Sequence, residues 1–330
     1  MKIYGEKMIK DNFWFDKNVL ITGISGFVGR AVATFLIKEG ANVTGIVKNI
    51  NNHNNNLLQN CNIMLGDITD YQFMRQVINE NEIDIIFHFA AYSIVRISAK
   101  DPLNAYAVNV MGTVALLEAA RNVGRCTNII VASSDKAYGD HKKLPYKENS
   151  HYLIPNNTYD TSKAAMDMIS RSYAKNYDMP IIVTRSANIY GPGDLNFSRI
   201  IPNTIRRLLH KEKPILYSDV KQCLREFVYI DDVVSAYDLL ARSTNLFGEA
   251  FNIGGIDAIE MQDLIELIAE IMGINLEIEI IKRDSLFKEI ERQYLDFSKL
   301  ANATGWKPTI KLSEGLLKTV NWYRGLFFKN

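Results

Sequence analysis

Three glycines at a fixed spacing, directly after a short apolar run, constrain this chain more than any other feature. The run GISGFVG at 23–29 follows a predicted strand at 18–22 and opens a predicted helix that ends near Gly40. Glycine lets the backbone turn sharply and approach a pyrophosphate, whose charge is stabilised by free N–H groups at the helix start. The spacing is G-x-x-G-x-x-G rather than the commoner G-x-G-x-x-G, and a tight turn without a ligand is the alternative. We predict a dinucleotide-binding turn formed by Gly23, Ser25, Gly26, Phe27, Val28 and Gly29.

The first half of the chain alternates β-rich runs with helical stretches. Predicted strands lie at 18–22, 42–47, 60–65, 83–89, 128–132 and 181–184, and predicted helices lie at 26–40, 71–81, 102–122 and 159–177. Strands that alternate with helices form βαβ units and a parallel sheet. After Arg185, helical segments at 200–210, 233–241, 261–272 and 312–327 mix with short strands such as 275–281.

This pattern predicts an α/β fold with two parts. We expect a Rossmann-like doubly wound parallel sheet in an N-terminal domain, 1–185, and a smaller, mainly C-terminal α/β lobe over 186–330. A later segment near Phe251 is expected to return to the sheet. The Asn-rich stretch 49–60 is predicted to be a surface loop without chemistry.

Composition excludes several classes of protein. The 330 residues include 38 Lys+Arg and 37 Asp+Glu, which gives a formal charge of +1 and argues against a nucleic-acid binder. No apolar run approaches the roughly 20 residues needed to cross a bilayer, and the charged N-terminus lacks the apolar stretch of a secretory signal. Three scattered cysteines suit reduced thiols. We therefore expect a cytoplasmic protein that contacts neither nucleic acid nor membrane.

The ends of the second and third strands bear on which dinucleotide binds. A carboxylate at the end of the second strand would accept a hydrogen bond from the ribose 2′-hydroxyl of NAD, but Lys48 and Asn49 stand there instead. Lys48 could pair with the 2′-phosphate of NADP, or it could be a solvated cation while Asn49 alone meets the ribose. The sequence leaves both readings open. Further candidate cofactor contacts at strand ends are Asp67, Ile68, Ala90 and Ala91.

Tyr159 and Lys163 lie four residues apart, on one face of a predicted helix. A phenol has a pKa near 10, which is too high for a general base at neutral pH. The Lys163 ammonium, together with a positive nicotinamide, would lower the pKa of Tyr159 and let it take a proton from a substrate hydroxyl. An ordinary amphipathic pair is the alternative, because the bare pattern is common.

Two serines, an acid and an amine follow the fifth strand, at the edge where open α/β sheets bind ligands. They are Ser133, Ser134, Asp135 and Lys136. A serine hydroxyl here can hold the substrate hydroxyl beside Tyr159. Asp135 and Lys136 can supply the acid and the base for an elimination, provided that Asp135 stays protonated and Lys136 neutral. The alternative is an ion pair on a surface loop.

Together these residues resemble the extended short-chain dehydrogenase/reductase superfamily, in particular its nucleotide-sugar epimerase/dehydratase branch. The resemblance covers nearly the whole chain and is carried by TGISGFVG at 22–29, GDI at 66–68, FAA at 89–91, NVMGT at 109–113, SSDK at 133–136, Tyr159 with Lys163, REFVYIDDV at 225–233 and GWKP at 305–308. Within the branch, FW at 13–14, VRIS at 95–98 and above all the Asp135-Lys136 pair are most similar to CDP-glucose 4,6-dehydratase. AYG at 137–139 and the stretch 225–232 look more like the general epimerase/dehydratase pattern.

The resemblance implies binding residues and partners. Further cofactor contacts are implied at Ser93, Asn109, Ser133, Tyr159 and Lys163, and nucleotide-sugar contacts at Ser93, Ser134, Asn188, Arg199, Arg225 and Arg292. A guanidinium suits a diphosphate because its planar fork meets phosphate oxygens in pairs, although a loop-capping role for Asn188 and a solvated charge at Arg199 or Arg292 are alternatives. NAD is implied as a held cofactor, with NADP as an option and no metal. A homodimer through a bundle of helices 102–122 and 159–177 is also implied.

The implied activity is that of a nucleotide-sugar 4,6-dehydratase with a CDP-glucose-like substrate. Tyr159 would take the proton of the C4 hydroxyl, Lys136 the C5 proton, and Asp135 would protonate the departing C6 hydroxyl, which gives a 4-keto-6-deoxy sugar. The alternative is a nucleotide-sugar 4-epimerase that uses the same Tyr159 and Lys163 and leaves Asp135 and Lys136 idle. A non-catalytic dinucleotide-binding protein is a further alternative, which the presence of Tyr159 and Lys163 disfavours.

Overall fold

Strands and helices alternate along the chain. The computed structural model describes residues 13–49, 59–275, 277–282 and 289–328. The strands are β1 (Asn18–Thr22), β2 (Asn42–Val47), β3 (Asn62–Leu65), β4 (Ile85–His88), β5 (Asn128–Ala132), β6 (Ile181–Ser186), β7 (Asn188–Tyr190), β8 (Ile215–Tyr217), β9 (Leu224–Tyr229), β10 (Ala250–Ile253), β11 (Ala258–Glu260), β12 (Glu279–Ile281) and β13 (Arg292–Gln293). The helices are α1 (Phe27–Lys38), α2 (Tyr71–Glu80), α3 (Val95–Lys100), α4 (Pro102–Tyr106), α5 (Gly112–Val123), α6 (Thr158–Tyr177), α7 (Ile200–Leu209), α8 (Ile230–Arg242), α9 (Met261–Met272), α10 (Ser298–Thr304) and α11 (Leu312–Phe327).

Seven strands form one parallel sheet in the order β10-β6-β5-β4-β1-β2-β3. Strand β1 pairs with β2 on one side and with β4 on the other, so the chain crosses over in opposite directions from β1. In open α/β sheets, ligands bind in the crevice at the carboxyl ends of the strands where this reversal occurs. The predicted Rossmann-like fold class is confirmed.

Apolar residues alternate between the two faces of each central strand. In β4, Phe87 packs on the face that also buries Trp14 and Tyr237, whereas Ile86 packs on the face that buries Met74. Helices α1 and α8 cover the first face, and α2, α5 and α6 cover the second. Because both faces are covered, the strands carry nearly continuous apolar runs, as the sequence predicted.

The C-terminal lobe is built on two small sheets. One has the order β11-β9-β13 with β7 also on β9, and the other pairs β12 with β8. Its core includes Ile205, Leu264, Ile268 and Leu316 from α7, α9 and α11. The segment near Phe251 does return to the main sheet, as β10. The predicted strand at 275–281 is shorter in the structure, where β12 begins at 279, and residues 50–58 of the predicted Asn-rich loop lie outside the described residues.

The predicted helix 102–122 contains one wide turn. Helices α4 and α5 are joined by a π-helical turn over Ala107–Met111, a deviation that often marks a functional site. By length and composition alone, the whole stretch Pro102–Val123 is long and apolar enough to cross a membrane, and 44% of the 18-residue apolar segment within it is buried inside the chain. The buried side packs against α2 and α6, which is the behaviour of a core helix with one free face.

Candidate active site

The glycine turn brings the backbone of β1 against the chain that follows β4. Gly23 has a φ of 72°, and a Cβ there would lie 2.7 Å from the Ala90 nitrogen. A Cβ on Gly29 would lie 2.2 Å from the Gly23 carbonyl oxygen. Gly26 precedes α1, and no side chain caps the N–H groups of that helix start. The turn therefore offers free N–H groups and the close approach that a dinucleotide pyrophosphate requires. The other predicted residues of the turn, Ser25, Phe27 and Val28, are half-buried.

An ion pair joins the ends of β2 and β3. The Lys48 ammonium lies 2.8 Å from an Asp67 carboxylate oxygen. Hydrogen bonds from Lys48 and from the Thr69 backbone N–H lower the pKa of Asp67. Asn49 is exposed and Ile68 is buried. Lys48 is thus already paired with an anion, so a 2′-phosphate would have to compete with Asp67 for it.

The π-helical turn places Asn109 in a fully buried position. Its side-chain oxygen accepts from the Tyr92 N–H at 2.6 Å, and its amide donates to the Ser162 hydroxyl at 2.8 Å. Asn109 therefore ties the segment after β4 to α6 through hydrogen bonds inside the chain, and a cofactor contact by it stays a prediction. Of the other predicted contacts here, Ala90 and Ala91 are half-buried and Ser93 is exposed.

Tyr159 and Lys163 both lie buried at the start of α6, beside the end of β5. The helix begins there because the Asn157 side chain caps it. The Lys163 ammonium donates to the Ala132 carbonyl oxygen at 2.7 Å, and the Ser133 hydroxyl donates to the Lys163 carbonyl at 3.0 Å. Burial lowers the pKa of Lys163 to about 8.

The electrostatics of Tyr159 differ from the sequence expectation. Burial raises the pKa of Tyr159 to about 12, although a hydrogen bond with Ser134 and the charge of Arg199 act to lower it. The Lys163 ammonium donates its hydrogen bond to the Ala132 carbonyl, and the positive charge that lowers the pKa of Tyr159 comes from Arg199. Desolvation outweighs the nearby positive charge in the chain alone, so ionisation of Tyr159 depends on further positive charge in the site.

The turn after β5 carries Asp135 into the interior. Ser134 caps the turn over Asp135–Tyr138: its hydroxyl accepts from the Lys136 N–H at 3.2 Å and donates to Asp135 at 3.1 Å. Asp135 is only 3% exposed. Burial raises the pKa of Asp135, and the charges of Lys136 and Arg225 only partly oppose that shift. This direction agrees with the expectation that Asp135 holds a proton.

Lys136 is half-buried and also points inward. Its ammonium donates to the side-chain oxygen of Gln293 at 3.3 Å. Gln293 belongs to β13, in the C-terminal lobe. The acid and the amine are therefore not a solvated ion pair on a surface loop, because one is buried and the other spans the gap between the two lobes.

Two further buried carboxyls share this region. Burial raises the pKa of Asp160 to about 7, with the Lys136 charge opposing the shift and Asp135 adding to it. Burial likewise raises the pKa of Glu226 to about 8, and one of its oxygens accepts from the Leu295 N–H at 3.1 Å. Over the described residues, no three His, Cys, Asp or Glu side chains gather closely enough to hold a metal ion. The arrangement instead favours acids that keep protons near neutral pH.

A buried ion pair anchors the turn that carries Asp135 and Lys136. Arg185 in β6 makes two hydrogen bonds to the Asp167 carboxylate, at 2.8 and 3.0 Å, and both residues are buried. A third bond from Arg185 reaches the hydroxyl of Tyr138, the last residue of the turn, at 2.8 Å. Tyr138 in turn donates to Asn252 in β10. The turn is thus fixed to two strands and to α6 by charge-assisted hydrogen bonds.

The predicted nucleotide-sugar residues fall into two groups. Arg225 is buried beside Gln293, its register partner across β9 and β13, and Asn188 donates to the Glu226 carbonyl at 3.0 Å. Arg199 is 41% exposed and pairs with Asp194 at 2.9 Å. Arg292 is exposed, on the strand face opposite Gln293. The structure therefore brings Ser134 and Arg225 close to the acid–amine pair, places Asn188 against the Glu226 backbone, and leaves Arg292 on the opposite face of β13.

Three residues of the site were not predicted from the sequence. They are Asp160, Glu226 and Gln293. Asp160 and Glu226 directly follow residues that were predicted. Adjacent side chains on a strand point to opposite faces, so an exposed Arg292 would have indicated a buried Gln293. Their meeting depends on contacts between distant segments, for which the sequence carries no direct signal.

Comparison with known proteins places this arrangement in a family context. The chain matches the family model described as GDP-mannose 4,6 dehydratase over residues 20–319. The human dTDP-D-glucose 4,6-dehydratase is 32% identical over 95% of this chain and 91% of that protein. A crystal structure of dTDP-glucose 4,6-dehydratase from Bacillus anthracis in complex with NAD superposes with a TM-score of 0.84, at 29% identity over 95% of this chain and 99% of that chain. The crystal structure of UDP-glucose 4-epimerase from Thermotoga maritima with UDP-glucose superposes with a TM-score of 0.86. Its sequence is 28% identical, over 94% of this chain and 99% of that chain. The fold alone therefore does not separate dehydratases from epimerases.

Replacing Asp160 with asparagine should change how stability depends on pH. Burial raises the pKa of Asp160 from about 3.9 to about 7 in the folded chain, so between these values the folded state holds a proton that the unfolded chain has released. The stability that this proton gives is complete below about pH 4 and is lost as pH rises through about 7. Urea unfolding at about pH 5 and about pH 8 measures this effect. Between the two pH values, the free energy of unfolding should fall by about 1–3 kcal/mol more in the wild type than in Asp160→Asn.

The matched control is Asp263→Asn, at an exposed aspartate on α9. It should follow the wild type at both pH values. Equal losses in Asp160→Asn and the wild type would contradict the assignment of a raised pKa to Asp160.

Proposed function

This chain belongs to the nucleotide-sugar epimerase/dehydratase family of extended short-chain dehydrogenases/reductases, and within that family we propose that it is a 4,6-dehydratase acting on CDP-glucose or a closely similar nucleotide sugar. Enzymes of this family use NAD to oxidise the sugar transiently. A 4,6-dehydratase then removes water across C5 and C6 and restores the cofactor. The product is a 4-keto-6-deoxy sugar, with no net oxidation or reduction.

The observation that supports dehydration over epimerisation is the inward-facing pair at the end of β5. Asp135 is buried, and burial raises its pKa, which suits a carboxyl that donates a proton. Lys136 reaches into the same region and bonds to Gln293. A 4-epimerase oxidises and reduces the same carbon, C4. It needs neither an acid at the C6 hydroxyl nor an amine at the C5 proton.

The glycine turn and Lys163 are the residues of this chain that suit NAD. The free N–H groups before α1 would hold the pyrophosphate, and Lys163 would contact the nicotinamide ribose. Bound NAD would supply the nicotinamide that accepts hydride from C4 and, once reduced, donates hydride to C6. The Lys48–Asp67 ion pair favours NAD over NADP, because Asp67 already holds the cation that a 2′-phosphate would need.

Three side chains would move the protons. Tyr159 takes the C4 hydroxyl proton as the C4–H bond breaks, helped by the charge of Arg199 and by the positive charge of the cofactor. The 4-ketone acidifies the C5 proton, which Lys136 takes. Asp135 then protonates the C6 hydroxyl, and the C6–O bond breaks to release water. Hydride adds at C6. Once C6 has been reduced, Lys136 donates a proton to C5, and because its ammonium exchanges protons with water, that proton comes from solvent. Tyr159 then releases its proton and Asp135 takes one up, which restores the site.

Support for the sugar nucleotide comes from two features. The Asp135-Lys136 pair is the mark of the resemblance to CDP-glucose 4,6-dehydratase. Arg225 is buried beside the acid–amine pair, with a guanidinium suited to phosphate oxygens. The relatives named above carry dTDP- and UDP-sugars in their names, so the choice of base is the part of the proposal that most needs a direct assay.

The product distinguishes a dehydratase from an epimerase. The NAD-loaded protein, incubated without added reductant, should convert CDP-glucose to a sugar that gives the ultraviolet chromophore of a 4-keto-6-deoxy hexose in base. Since the proposed site distinguishes the nucleotide, kcat/KM for CDP-glucose should exceed the values for dTDP-, UDP- and GDP-glucose by about tenfold, equivalent to about 1.4 kcal/mol. Unchanged sugar, or its C4 epimer, would contradict dehydration. Preference for another nucleotide would contradict only the base assignment.

Replacement of Lys136 separates oxidation at C4 from elimination of water. Lys136→Met should lower the rate of 4-keto-6-deoxy product formation by about 100-fold or more, because proton abstraction loses its base. Oxidation at C4 should persist, and the near-ultraviolet absorbance of reduced nicotinamide reports it on mixing with substrate. The control is Lys142→Met, at an exposed lysine a few residues further along. Normal product formation by Lys136→Met would contradict the role of Lys136.

We further propose that two copies of the chain pair through α4, α5 and α6. Large apolar side chains are exposed on these helices and the turn between them: Leu103 (79%), Tyr106 (38%), Met111 (57%), Met168 (56%) and Tyr177 (53%). An exposed apolar surface of this kind is typical of a protein–protein interface. Packing of the same face from a second copy would give a four-helix bundle.

Charged substitutions on the exposed apolar surface test this pairing. Leu103→Glu combined with Met168→Glu should convert a dimer to a monomer in sedimentation experiments, because two charges would be buried without partners. The control is Leu317→Glu, which alters an exposed leucine on α11 and should leave the dimer intact. A wild-type protein that sediments as a monomer at micromolar concentration would contradict the proposal.

A further inference from the structure

Gln293 is a residue of the C-terminal lobe that bonds directly to the acid–amine pair, through Lys136. It lies on β13, is 0% exposed, and is the register partner of Arg225 on β9. Its neighbour Arg292 is exposed, because adjacent side chains on a strand point to opposite faces. Gln293 is thus the member of β13 that faces the site.

One half of the Gln293 amide is paired and the other is not. The side-chain oxygen accepts from the Lys136 ammonium at 3.3 Å, whereas the Nε2 group is buried without a hydrogen-bond partner. A buried N–H without an acceptor costs about 1–3 kcal/mol. Such a group in a folded protein calls for an acceptor that arrives with a ligand or with water.

One of the other two buried side-chain atoms without partners also lies near Lys136. Within the described residues these are Asn128 Oδ1 and Asp160 Oδ1. Asn128 begins β5, at the far end of the strand from the site, and its amide is fully used by three backbone carbonyls. Asp160 lies close enough to Lys136 for the lysine charge to act on it. Two of the three unpartnered atoms, one donor and one acceptor, therefore belong to the surroundings of Lys136.

The charged groups around Lys136 explain why an amide is suited to this position. Asp135 and Asp160 supply carboxyls on which the Lys136 charge acts, Glu226 lies near Asp135, and Arg225 supplies the other cation. A further carboxylate bonded to the Lys136 amine would hold it in the protonated form, which cannot act as a base. The neutral oxygen of Gln293 aims the amine without adding negative charge.

We propose that Gln293 positions both partners of the C5 proton transfer: its oxygen aims the Lys136 amine, and its free N–H binds a hydroxyl oxygen of the hexose beside the carbon that Lys136 deprotonates. This inference rests on the proposed dehydratase function for the proton transfer. The hexose contact itself does not depend on whether water is eliminated. Gln293 is accordingly a determinant for the sugar and not for the nucleotide.

The test compares Gln293→Met and Gln293→Glu with the wild type. Methionine keeps the length of the side chain and removes both hydrogen bonds, whereas glutamate keeps the shape and adds a negative charge. The matched control is Gln262→Met, at a glutamine on α9 whose amide bonds to Glu266 one turn further along the same helix. Binding of CDP and of CDP-glucose is measured by calorimetry on the NAD-loaded protein, and oxidation and product formation are followed separately.

For Gln293→Met, we expect the affinity for CDP-glucose to fall about tenfold while the affinity for CDP stays within about twofold, because one hydrogen bond to the sugar is lost. Product formation should fall about 100-fold while oxidation at C4 persists. Gln293→Glu should form product more slowly still, because its charge holds Lys136 protonated. Gln262→Met should match the wild type.

Three results would overturn the inference. They are an equal loss of affinity for CDP and CDP-glucose, a parallel loss of oxidation and elimination, and faster product formation by Gln293→Glu than by Gln293→Met. A lowered thermal midpoint accompanied by parallel losses would assign Gln293 a purely structural role. If the wild type forms no 4-keto-6-deoxy sugar, the proposed function fails, and the difference between CDP and CDP-glucose binding still tests the hexose contact.

Discussion

The Asp135 carboxyl lies almost out of water at the end of β5, next to an amine that spans the gap to the other lobe. Burial raises the pKa of Asp135 because a carboxylate loses hydration there, and the nearby charges of Lys136 and Arg225 recover only part of that loss. The same desolvation raises the pKa of Asp160 and Glu226. A region whose burial raises the pKa of several carboxyls is suited to donate a proton to a departing hydroxyl.

The fold brings this chemistry together from segments that are far apart in the sequence. The end of β5 supplies Asp135 and Lys136, the start of α6 supplies Tyr159, and the lobe supplies Arg225 and Gln293. The ion pair between Arg185 and Asp167 holds the turn after β5 against α6 and β6, with Tyr138 as the link. A buried pair of this kind is costly to break, because removal of either partner leaves a charge without compensation. It therefore fixes the position of the acid relative to Tyr159.

Local patterns made much of this arrangement predictable. The glycine turn, the strand runs and the Tyr159/Lys163 spacing are local signals, and the parallel sheet follows from them. The pKa of Tyr159 was not predictable, since the extent of its burial and the direction of the Lys163 ammonium depend on the packed structure. The pairing of Lys48 with Asp67 depends on strand order, and the choice of Gln293 over Arg292 depends on the register of a two-residue strand. Such contacts between distant segments require coordinates.

A deuterium label at C4 of the sugar tests the central claim most directly. CDP-glucose that carries deuterium at C4 is converted by the NAD-loaded protein, and the position of the label in the product is read by NMR. If an acid and an amine at the end of β5 drive water removal, the label appears on the C6 methyl group, and a hydrogen from solvent appears at C5. Label retained at C4 of an epimer or of the starting sugar would show that only reversible oxidation occurs, and it would contradict this account.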